Sequence, residues 1–305
     1  MNFALVLTLG CDADGSDTGG GDTDGPGSAA TWLDVAPGSG HACGVRTDGR
    51  LLCWGDGAGA SDLVLDRAPS GLTAVEVTLE IDGATSPATY QHACARLPDG
   101  SATCWGPHAW DVPAPVTALA IGYFHAIWLD STGTVRCDDL DFGDGCLDYT
   151  PLQGVASFVA SSWHVLAIGL DGELQFALHD SDTAIHPTLP PGPWSQVSLV
   201  GADDWICGIR DGGALDCWGE RGDGYGLATP PDGDYTDLCM SWRGGACALD
   251  EAGVPSCWGD VERYTPAAGP FARLTCGYDT WCGIAASGAA TCWGACEGGV
   301  CDLPE

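Results

Sequence analysis

The chain contains no lysine, and its ten basic residues are all arginine. Forty-two acidic residues set the formal net charge at −32. Nucleic-acid binding needs clustered lysine and arginine to neutralise phosphates, so this balance excludes a nucleic-acid partner. It also disfavours direct contact with an anionic membrane surface. We interpret the charge as a solubility charge on an exported protein; a basic partner or calcium is the alternative.

Long apolar runs and helical patterns are also missing. Residues 1–10 are apolar but too short to span a bilayer. No long stretch repeats its apolar residues with the 3.6-residue period of a helix, and the chain contains 46 glycines and 19 prolines. We therefore expect an all-β protein.

Motifs for metal binding and catalysis are absent as well. The sequence has no Cys-x-x-Cys pair of the kind that binds zinc and no Gly-x-Ser-x-Gly nucleophile elbow. We therefore predict no cofactor, no metal and no catalysis. An acid pair assembled from distant parts of the chain is the alternative, as in an extracellular polysaccharide hydrolase or lyase with acids in a central cleft.

The cysteines, in contrast, follow a strict spacing. Five times a cysteine is followed ten residues later by the sequence Cys-Trp-Gly. A fixed spacing kept five times in one chain indicates a repeat architecture. The five pairs are Cys43 and Cys53, Cys94 and Cys104, Cys207 and Cys217, Cys247 and Cys257, and Cys282 and Cys292.

Two degenerate copies bring the number of repeats to seven. Ile127 is followed ten residues later by Cys137, and Leu166 by Phe176. In the second copy both cysteine positions are apolar, which indicates that the two positions face each other. Residues 32–301 divided by seven give roughly 39 residues per repeat, within the range for propeller blades. We predict a seven-bladed β-propeller.

Each repeat contains the signals of a β-hairpin. In the first repeat, Asp48-Gly49 predicts a turn between two short strands and places Cys43 opposite Cys53. Because side chains alternate along a strand, the cysteines point to one face of the hairpin and Trp54 to the other. Both faces then need a covering layer, which blades stacked around an axis provide.

Seventeen cysteines indicate an oxidising compartment outside the cytoplasm. We predict a disulfide within each of the five regular pairs. Cys239 and Cys276 lie on equivalent strands of neighbouring repeats and are expected to join two blades. Two more pairs are expected across local loops: Cys137 with Cys146, and Cys296 with Cys301.

The residues before the first repeat resemble an export and anchoring segment. Thr8-Leu9-Gly10-Cys11 resembles a bacterial lipobox, with residues 1–10 as the signal peptide and Cys11 as the lipidated residue. Residues 11–31 then form a disordered, Asp- and Gly-rich tether ahead of the propeller, residues 32–305. Thr8 stands where leucine is usual, and no basic residue precedes the apolar run, so a short disordered N-terminus with a free cysteine is the alternative.

Aromatic side chains in the variable loops are the candidate binding residues, because Trp and Tyr supply much of the binding energy at many interfaces. The alternative is packing over neighbouring loops. Four histidines recur at one repeat position, where we interpret them as turn residues that satisfy backbone groups rather than as metal ligands. The aromatic residues are Trp110, Tyr149, Tyr225 and Tyr264, and the histidines are His41, His92, His125 and His164.

The pattern His-x-Cys-x-Val-x-x-Asp-Gly-x-x-x-Cys-Trp-Gly resembles the regulator of chromosome condensation repeat family, in a bacterial, cysteine-bearing form. The resemblance covers residues 32 to about 301. It implies a seven-bladed propeller whose ring is closed by pairing of N- and C-terminal strands. It implies no single activity: the nuclear member is an exchange factor for a small GTPase and binds chromatin, and a bacterial member is a secreted beta-lactamase inhibitor.

These observations together predict a non-catalytic binding module. We expect a protein or a glycan as the partner, recognised by one face of the propeller. We expect a monomer that is secreted or held in the cell envelope, with the lipid anchor as its only contact with a membrane.

Overall fold

The computed structural model describes twelve segments of the chain: residues 30–55, 63–79, 92–107, 109–112, 115–122, 125–139, 152–161, 164–178, 188–199, 205–219, 226–261 and 265–305. These segments form seven small antiparallel sheets. The first strand of each sheet contacts the first strands of its two neighbours, in a closed ring that returns from the last sheet to the first. The predicted all-β, seven-bladed propeller is confirmed.

Each blade is a contiguous stretch of the chain, and its strands follow one another from the axis outwards. A helical turn at Leu63–Asp66 follows blade 1, and a 3₁₀ turn at Glu297–Gly299 follows blade 7. Within the described residues, no helix has the length and apolar content needed to cross a membrane. The strands are, in blade 1, β1 (Trp32–Pro37), β2 (His41–Arg46) and β3 (Leu51–Gly55); in blade 2, β4 (Glu76–Leu79), β5 (Ala93–Arg96), β6 (Ala102–Trp105) and β7 (Trp110–Val112); in blade 3, β8 (Val116–Gly122), β9 (His125–Asp130) and β10 (Val135–Asp139); in blade 4, β11 (Val155–Ala160), β12 (His164–Gly169) and β13 (Leu174–Leu178); in blade 5, β14 (Trp194–Leu199), β15 (Ile206–Arg210) and β16 (Leu215–Trp218); in blade 6, β17 (Tyr235–Met240), β18 (Gly245–Asp250) and β19 (Pro255–Gly259); and in blade 7, β20 (Arg273–Cys276), β21 (Thr280–Ile284) and β22 (Ala290–Gly294).

The central hairpin of each blade has the register that the ten-residue spacing predicts. Cys43 lies opposite Cys53, and in the degenerate copies Ile127 lies opposite Cys137 and Leu166 opposite Phe176. The Leu166 side chain is fully buried. An apolar contact therefore takes the place of a disulfide in blade 4, as the joint loss of both cysteines indicated.

The structure contains disulfides in all five regular pairs, which are the pairs that the spacing predicts. In blade 1 the two Cα atoms are 4.0 Å apart, just below the usual range of roughly 4.4–6.8 Å. The N–H of Arg46 donates to the carbonyl of Arg50, and this bond fixes which pairs of the ladder are hydrogen-bonded. Cys43 and Cys53 therefore form a non-hydrogen-bonded pair. In an antiparallel sheet, the Cα atoms of such pairs lie closest together.

Two of the irregular pairs are also present. Cys239 is bonded to Cys276 and joins the first strands of blades 6 and 7, and Cys296 is bonded to Cys301. Cys137 is disulfide-bonded. Its predicted partner Cys146 lies outside the described residues, and so does Cys11.

The two faces of a blade pack against different neighbours. On blade 1, Cys43 and Val45 pack against Val77 and other residues of blade 2. Trp32 and Trp54 pack with blade 7 residues on the opposite side. Because both faces are buried between blades, the hairpin is apolar on both sides, as its sequence indicated.

Every blade is attached to the next through a glycine of its hairpin turn. The seven glycines have positive φ angles between 75° and 97°, which strongly favour glycine. The carbonyl of each accepts a hydrogen bond of 2.7–2.9 Å from the N–H that begins the next blade. The donor and acceptor residues are Ala74 to Gly49, Val116 to Gly100, Val155 to Gly133, Trp194 to Gly172, Tyr235 to Gly213, Phe271 to Gly253, and Trp32 to Gly288.

The ring closes differently from the expectation that the family resemblance raised. In the described part of the chain, blade 7 consists of β20, β21 and β22, and β1 belongs to blade 1. Among the described strands, the first and the last therefore share no blade. The reason is where each repeat begins relative to its blade. The first described strand is already the innermost strand of blade 1, and the strands of each sheet come from one repeat.

Candidate functional site at the junction of blades 6, 7 and 1

Trp110 does not lie on a variable loop, where the sequence analysis placed it. It forms part of β7, the outer strand of blade 2, and pairs with Cys104. Its ring centroid is 5.8 Å from that of Trp128 in blade 3, and it packs on the core between these blades. Trp110 therefore packs against a neighbouring blade. Three other predicted binding residues lie outside the described residues: Tyr149, Tyr225 and Tyr264.

The recurring histidines lie at or beside the start of the second strand of blades 1 to 4. His41, His92 and His125 are buried within the ring. The ring of His164 stacks on Phe176, with 5.4 Å between the centroids. Across the described segments, no group of three or more His, Cys, Asp or Glu side chains is arranged to hold a metal ion.

The innermost strands carry acidic side chains, which we call the axial acids: Asp34, Glu76 and Asp237. The innermost strand of each blade lies at the edge of its sheet, where N–H groups need acceptors. The carboxylate of Asp34 in blade 1 accepts the N–H of Val77 in blade 2 at 3.0 Å. Asp237 in blade 6 accepts the N–H of Leu274 in blade 7 at 2.6 Å. Asp34 and Asp237 therefore join adjacent blades.

Arg273 joins blade 7 to blade 1 at the point where the ring closes. Its guanidinium in blade 7 donates to the carboxylate of Asp34 at 2.7 Å and to the carbonyl of Leu33 at 2.6 Å. Glu76 in blade 2 accepts a hydrogen bond of 2.8 Å from Arg96. Burial raises the pKa values of the carboxyl groups of Asp34 and Glu76, and the adjacent arginines partly offset the effect.

The partly exposed feature most suited to binding lies on the loops between the first and second strands. In the β17–β18 loop, Trp242 stacks on Tyr278 of the β20–β21 loop, with centroids 5.0 Å apart and 21° between the planes. Arg243 lies 4.9 Å from the centre of the Tyr278 ring and donates to its hydroxyl at 3.1 Å. Arg243 also pairs with Asp279 at 3.3 Å. We call these four residues the aromatic cluster.

The aromatic cluster adjoins a small notch. Its walls are residues 38–40 of the β1–β2 loop, residues 278–280 of blade 7, and Ala295, Glu297 and Val300 of the C-terminal segment. The notch holds about 220 Å³ even when the solvent at its mouth is included. The part of this space that a ligand could occupy is about 10 Å³, enough for about one water molecule. Sites for drug-sized ligands hold roughly 300–1,000 Å³, so the notch is too small for a small-molecule ligand.

Sequence reasoning missed the aromatic cluster because it searched the loops that follow the Cys-Trp-Gly motif. Trp242 and Tyr278 lie instead at the same position of neighbouring repeats, five residues after Asp237 and Arg273 respectively. Ser39 occupies this position in blade 1. An aromatic residue at one repeat position in two successive repeats was the available signal.

Comparison with known proteins agrees with the repeat and with the fold. Residues 33–58 match the family model of the regulator of chromosome condensation (RCC1) repeat. The CRINKLY WD40 ectodomain of the Arabidopsis thaliana receptor kinase ACR4 superposes with a TM-score of 0.67 at 21% identity, covering 88% of this chain and 97% of that one. The ectodomain of the Physcomitrella patens receptor kinase CR4 gives 0.67 at 22% identity, covering 87% and 74%.

The Saccharomyces cerevisiae protein Prp20p has a similar structure as well. Its TM-score is 0.53 at 14% identity, and the alignment covers 80% of each chain. Similarity at these identities shows a shared fold. The chain is thus a propeller that contains an RCC1-type repeat at residues 33–58.

Proposed function

We propose that this protein is an exported, non-catalytic binding module that recognises a protein partner through the loops between the first and second strands. The aromatic cluster at the junction of blades 6, 7 and 1 carries this proposal. We extend the RCC1-type assignment to all seven repeats, in a bacterial, cysteine-bearing form.

The cluster has the composition of an interface hot spot. Trp, Tyr and Arg are the residue types most enriched among side chains that dominate binding energy. Trp242 is partly exposed and Arg243 is exposed, while the Tyr278 ring beneath them is buried. The stack is held in place by the hydroxyl bond and the ion pair of Arg243, so little side-chain entropy is left to lose on binding.

Export is supported by the disulfides, which form and persist in oxidising compartments. Lipidation of Cys11 and the tether at residues 11–31 remain predictions from the sequence. Given this lipid and this tether, we propose that the propeller is a monomer on a flexible spacer and is held at a membrane only through its lipid.

Binding of proteins by this fold has precedents. Prp20p is described with its binding to Gsp1p and histones, and yeast RCC1 (Prp20) with Kap60 bound. The two plant propellers belong to the ectodomains of receptor kinases. A rigid ring that presents the aromatic cluster on the loops between its first and second strands suits the same use here.

The axial acids do not favour the alternative of an enzyme. Asp34 and Asp237 already accept backbone N–H groups of the following blade, and Asp34 is 6% exposed. Glu76 accepts from Arg96. Asp34 and Asp237 therefore join adjacent blades, Glu76 is paired with an arginine of its own blade, and we propose no catalytic role for these carboxylates.

The test is affinity capture with the oxidised full chain from an envelope extract, followed by a binding measurement with the purified partner. Trp242→Ala and Arg243→Ala should each weaken binding by about 2 kcal/mol, roughly thirtyfold, as expected for hot-spot residues. Leu170→Ala is the matched control, because Leu170 is 77% exposed at a hairpin turn of blade 4 and far from the cluster in the ring. Equal affinities of all three variants and the wild type would refute the proposed site. Capture of a glycan instead of a protein would show that the partner is a glycan.

A further inference from the structure

The C-terminal residues 295–305 cross from blade 7 to blade 1, and we call this segment the strap. It begins at Ala295, whose N–H donates to the carbonyl of Asp279 at 2.8 Å. Val300 is buried, with 1% exposure, and its carbonyl accepts the indole N–H of Trp54 in blade 1 at 3.0 Å. The guanidinium of Arg46 reaches the carbonyl of Pro304 at 3.4 Å.

The same contact occurs where the chain passes continuously from one blade to the next. The indole N–H of Trp105 in blade 2 donates to the carbonyl of Val64, and that of Trp258 in blade 6 donates to the carbonyl of Leu227. Val64 and Leu227 are fully buried, and each lies in the connection that precedes its blade. Val300 precedes blade 1 in the same sense around the ring. The strap therefore takes the place of a connection, although no peptide bond joins it to blade 1.

The shape of the strap depends on a tight turn that the Cys296–Cys301 disulfide encloses. Three of its residues have left-handed backbone conformations: Cys296 with φ 50°, Gly298 with φ 65° and Gly299 with φ 74°. This conformation is disfavoured for a residue other than glycine such as Cys296. A covalent bond across the turn holds it in place and so directs Val300 into blade 1.

The strap is also one wall of the notch beside the aromatic cluster. Ala295, Glu297 and Val300 face residues 38–40 and residues 278–280 across it. Both cysteines of the strap disulfide are partly exposed. The Cys239–Cys276 bond shares this exposure. In each of the five regular disulfides, by contrast, one cysteine is fully buried: Cys43, Cys94, Cys207, Cys247 and Cys282.

We propose that the Cys296–Cys301 disulfide controls the partner site, an inference that rests on the proposed function. With the bond intact, the strap closes the seam between blades 7 and 1 and completes the notch. A small dithiol opens it by exchange: a thiolate attacks one sulfur, a mixed disulfide forms, and the second thiol releases the protein. Two electrons pass to the protein, which gains thiols at Cys296 and Cys301, and the reductant leaves as a disulfide.

The first experiment measures how the strap disulfide affects hydrogen exchange in the propeller, in the absence of any partner. Hydrogen exchange of the full chain is compared for the wild type, Cys296→Ser/Cys301→Ser, and Cys207→Ser/Cys217→Ser, whose disulfide lies in blade 5. Loss of the strap bond should raise exchange at least tenfold in β2 and β3 and leave blades 3 to 5 within twofold of the wild type. Unchanged exchange in blade 1, or an equal rise in all blades, overturns the proposal.

A reduction series tests the same point on the unmodified chain. Under limiting dithiol, with new thiols trapped by alkylation, Cys296 and Cys301 should be labelled before the five regular pairs. If a regular pair opens first, the strap disulfide is not the controlling bond.

The second experiment measures affinity for the partner. Cys296→Ser/Cys301→Ser should bind at least tenfold more weakly than the wild type, while Cys207→Ser/Cys217→Ser stays within threefold. Equal affinity despite increased exchange in blade 1 overturns control of the site by the strap. If the wild type itself binds no protein, the proposed function fails, and the exchange data separately decide whether the strap closes the seam.

Discussion

The backbone N–H of Trp32 donates a hydrogen bond of 2.8 Å to the carbonyl of Gly288, which lies 256 positions later in the chain. In the same way, the N–H of Phe271 at the start of blade 7 donates to the carbonyl of Gly253 in the hairpin turn of blade 6. Where the ring closes, the blades are thus attached in the same way as where the chain runs on without interruption. Ring closure requires no shared blade, because this bond, the Arg273–Asp34 pair and the strap act at the same seam.

The turn glycines should differ in their tolerance of a side chain. Gly253→Ala places a Cβ against the backbone of Phe271, whereas Gly100→Ala meets no atom within 4 Å. Both have similar positive φ angles, 75° and 83°, and so share a conformational cost of about 1–2 kcal/mol. Urea unfolding of the oxidised protein should show that Gly253→Ala costs clearly more than Gly100→Ala. Equal losses would contradict the role of close approach between blades.

Arg273→Met should destabilise the ring, because it leaves the buried Asp34 carboxylate without its cation. We expect a loss of about 1–3 kcal/mol, less than for a fully buried pair, since the Arg273 side chain is 44% exposed. Arg50→Met is the control and should change stability by less than about 0.5 kcal/mol, because Arg50 and Asp48 are both more than half exposed. Denaturant unfolding at pH 7 compares the two.

The loss caused by Arg273→Met should also depend on pH. Burial raises the pKa of Asp34 above 3.8, and Arg273 lowers it, so removing Arg273 raises it further. A raised folded-state pKa contributes stability that is present at low pH and lost as pH rises. The penalty should therefore shrink between pH 7 and pH 4. A penalty that is constant across this interval would show that Asp34 does not titrate in this way.

Asp130→Asn removes a carboxyl group whose pKa is lowered rather than raised in the folded protein, so its penalty should disappear only in a more acidic range. Hydrogen bonds from Thr132, and further ones from Arg136 and Thr134, hold the pKa of Asp130 far below its ordinary 3.8. A depressed pKa contributes stability above the unfolded value, and that stability is lost as pH falls. The wild type should exceed Asp130→Asn by about 1–2 kcal/mol at pH 7, and the gap should narrow below pH 3.8. Asp211→Asn, at an exposed turn position of blade 5, is the control and should change the free energy of unfolding at pH 7 by less than about 0.5 kcal/mol.

Peptide mapping of the unreduced protein should recover the seven described disulfides and, in addition, Cys137 joined to Cys146. Each of the five regular pairs lies within the hairpin of a single repeat. Free thiols at these positions, or bonds between different regular pairs, would refute the assignment.

Lipidation at Cys11 is tested by metabolic labelling with a clickable fatty acid. The label should be present in the wild type and in the tether variant Ser16→Ala, and absent from Cys11→Ser. Cys11→Ser should also leave the membrane fraction. Equal labelling of all three proteins would place the lipid elsewhere.

Much of the fold could be predicted because its signals lie within single repeats. The cysteine spacing and the Asp48-Gly49 turn place Cys43 opposite Cys53, and the loss of both cysteines at Leu166 and Phe176 indicates the same register. These pairings are local: the partners are ten residues apart, and strand alternation decides their faces. Repetition then sets the number of blades.

The candidate site could not be predicted in the same way, because it depends on contacts between repeats. Trp242 meets Tyr278 only because blades 6 and 7 stack, and Trp110 joins an outer strand rather than a loop because it pairs with Cys104. Trp110 and Trp242 are both tryptophans, and sequence position alone does not separate a packing role from an exposed one.

The sequence by itself determined the repeat, the hairpin register and the all-β class, since each follows from short-range periodicity and turn chemistry. Only the tertiary structure decided how the ring closes. Arg273 pairs with Asp34 across 239 positions, and Trp54 bonds to Val300 across 246. Such contacts leave no periodic trace in the chain, because they depend on the angle between blades that brings the seventh repeat back to the first.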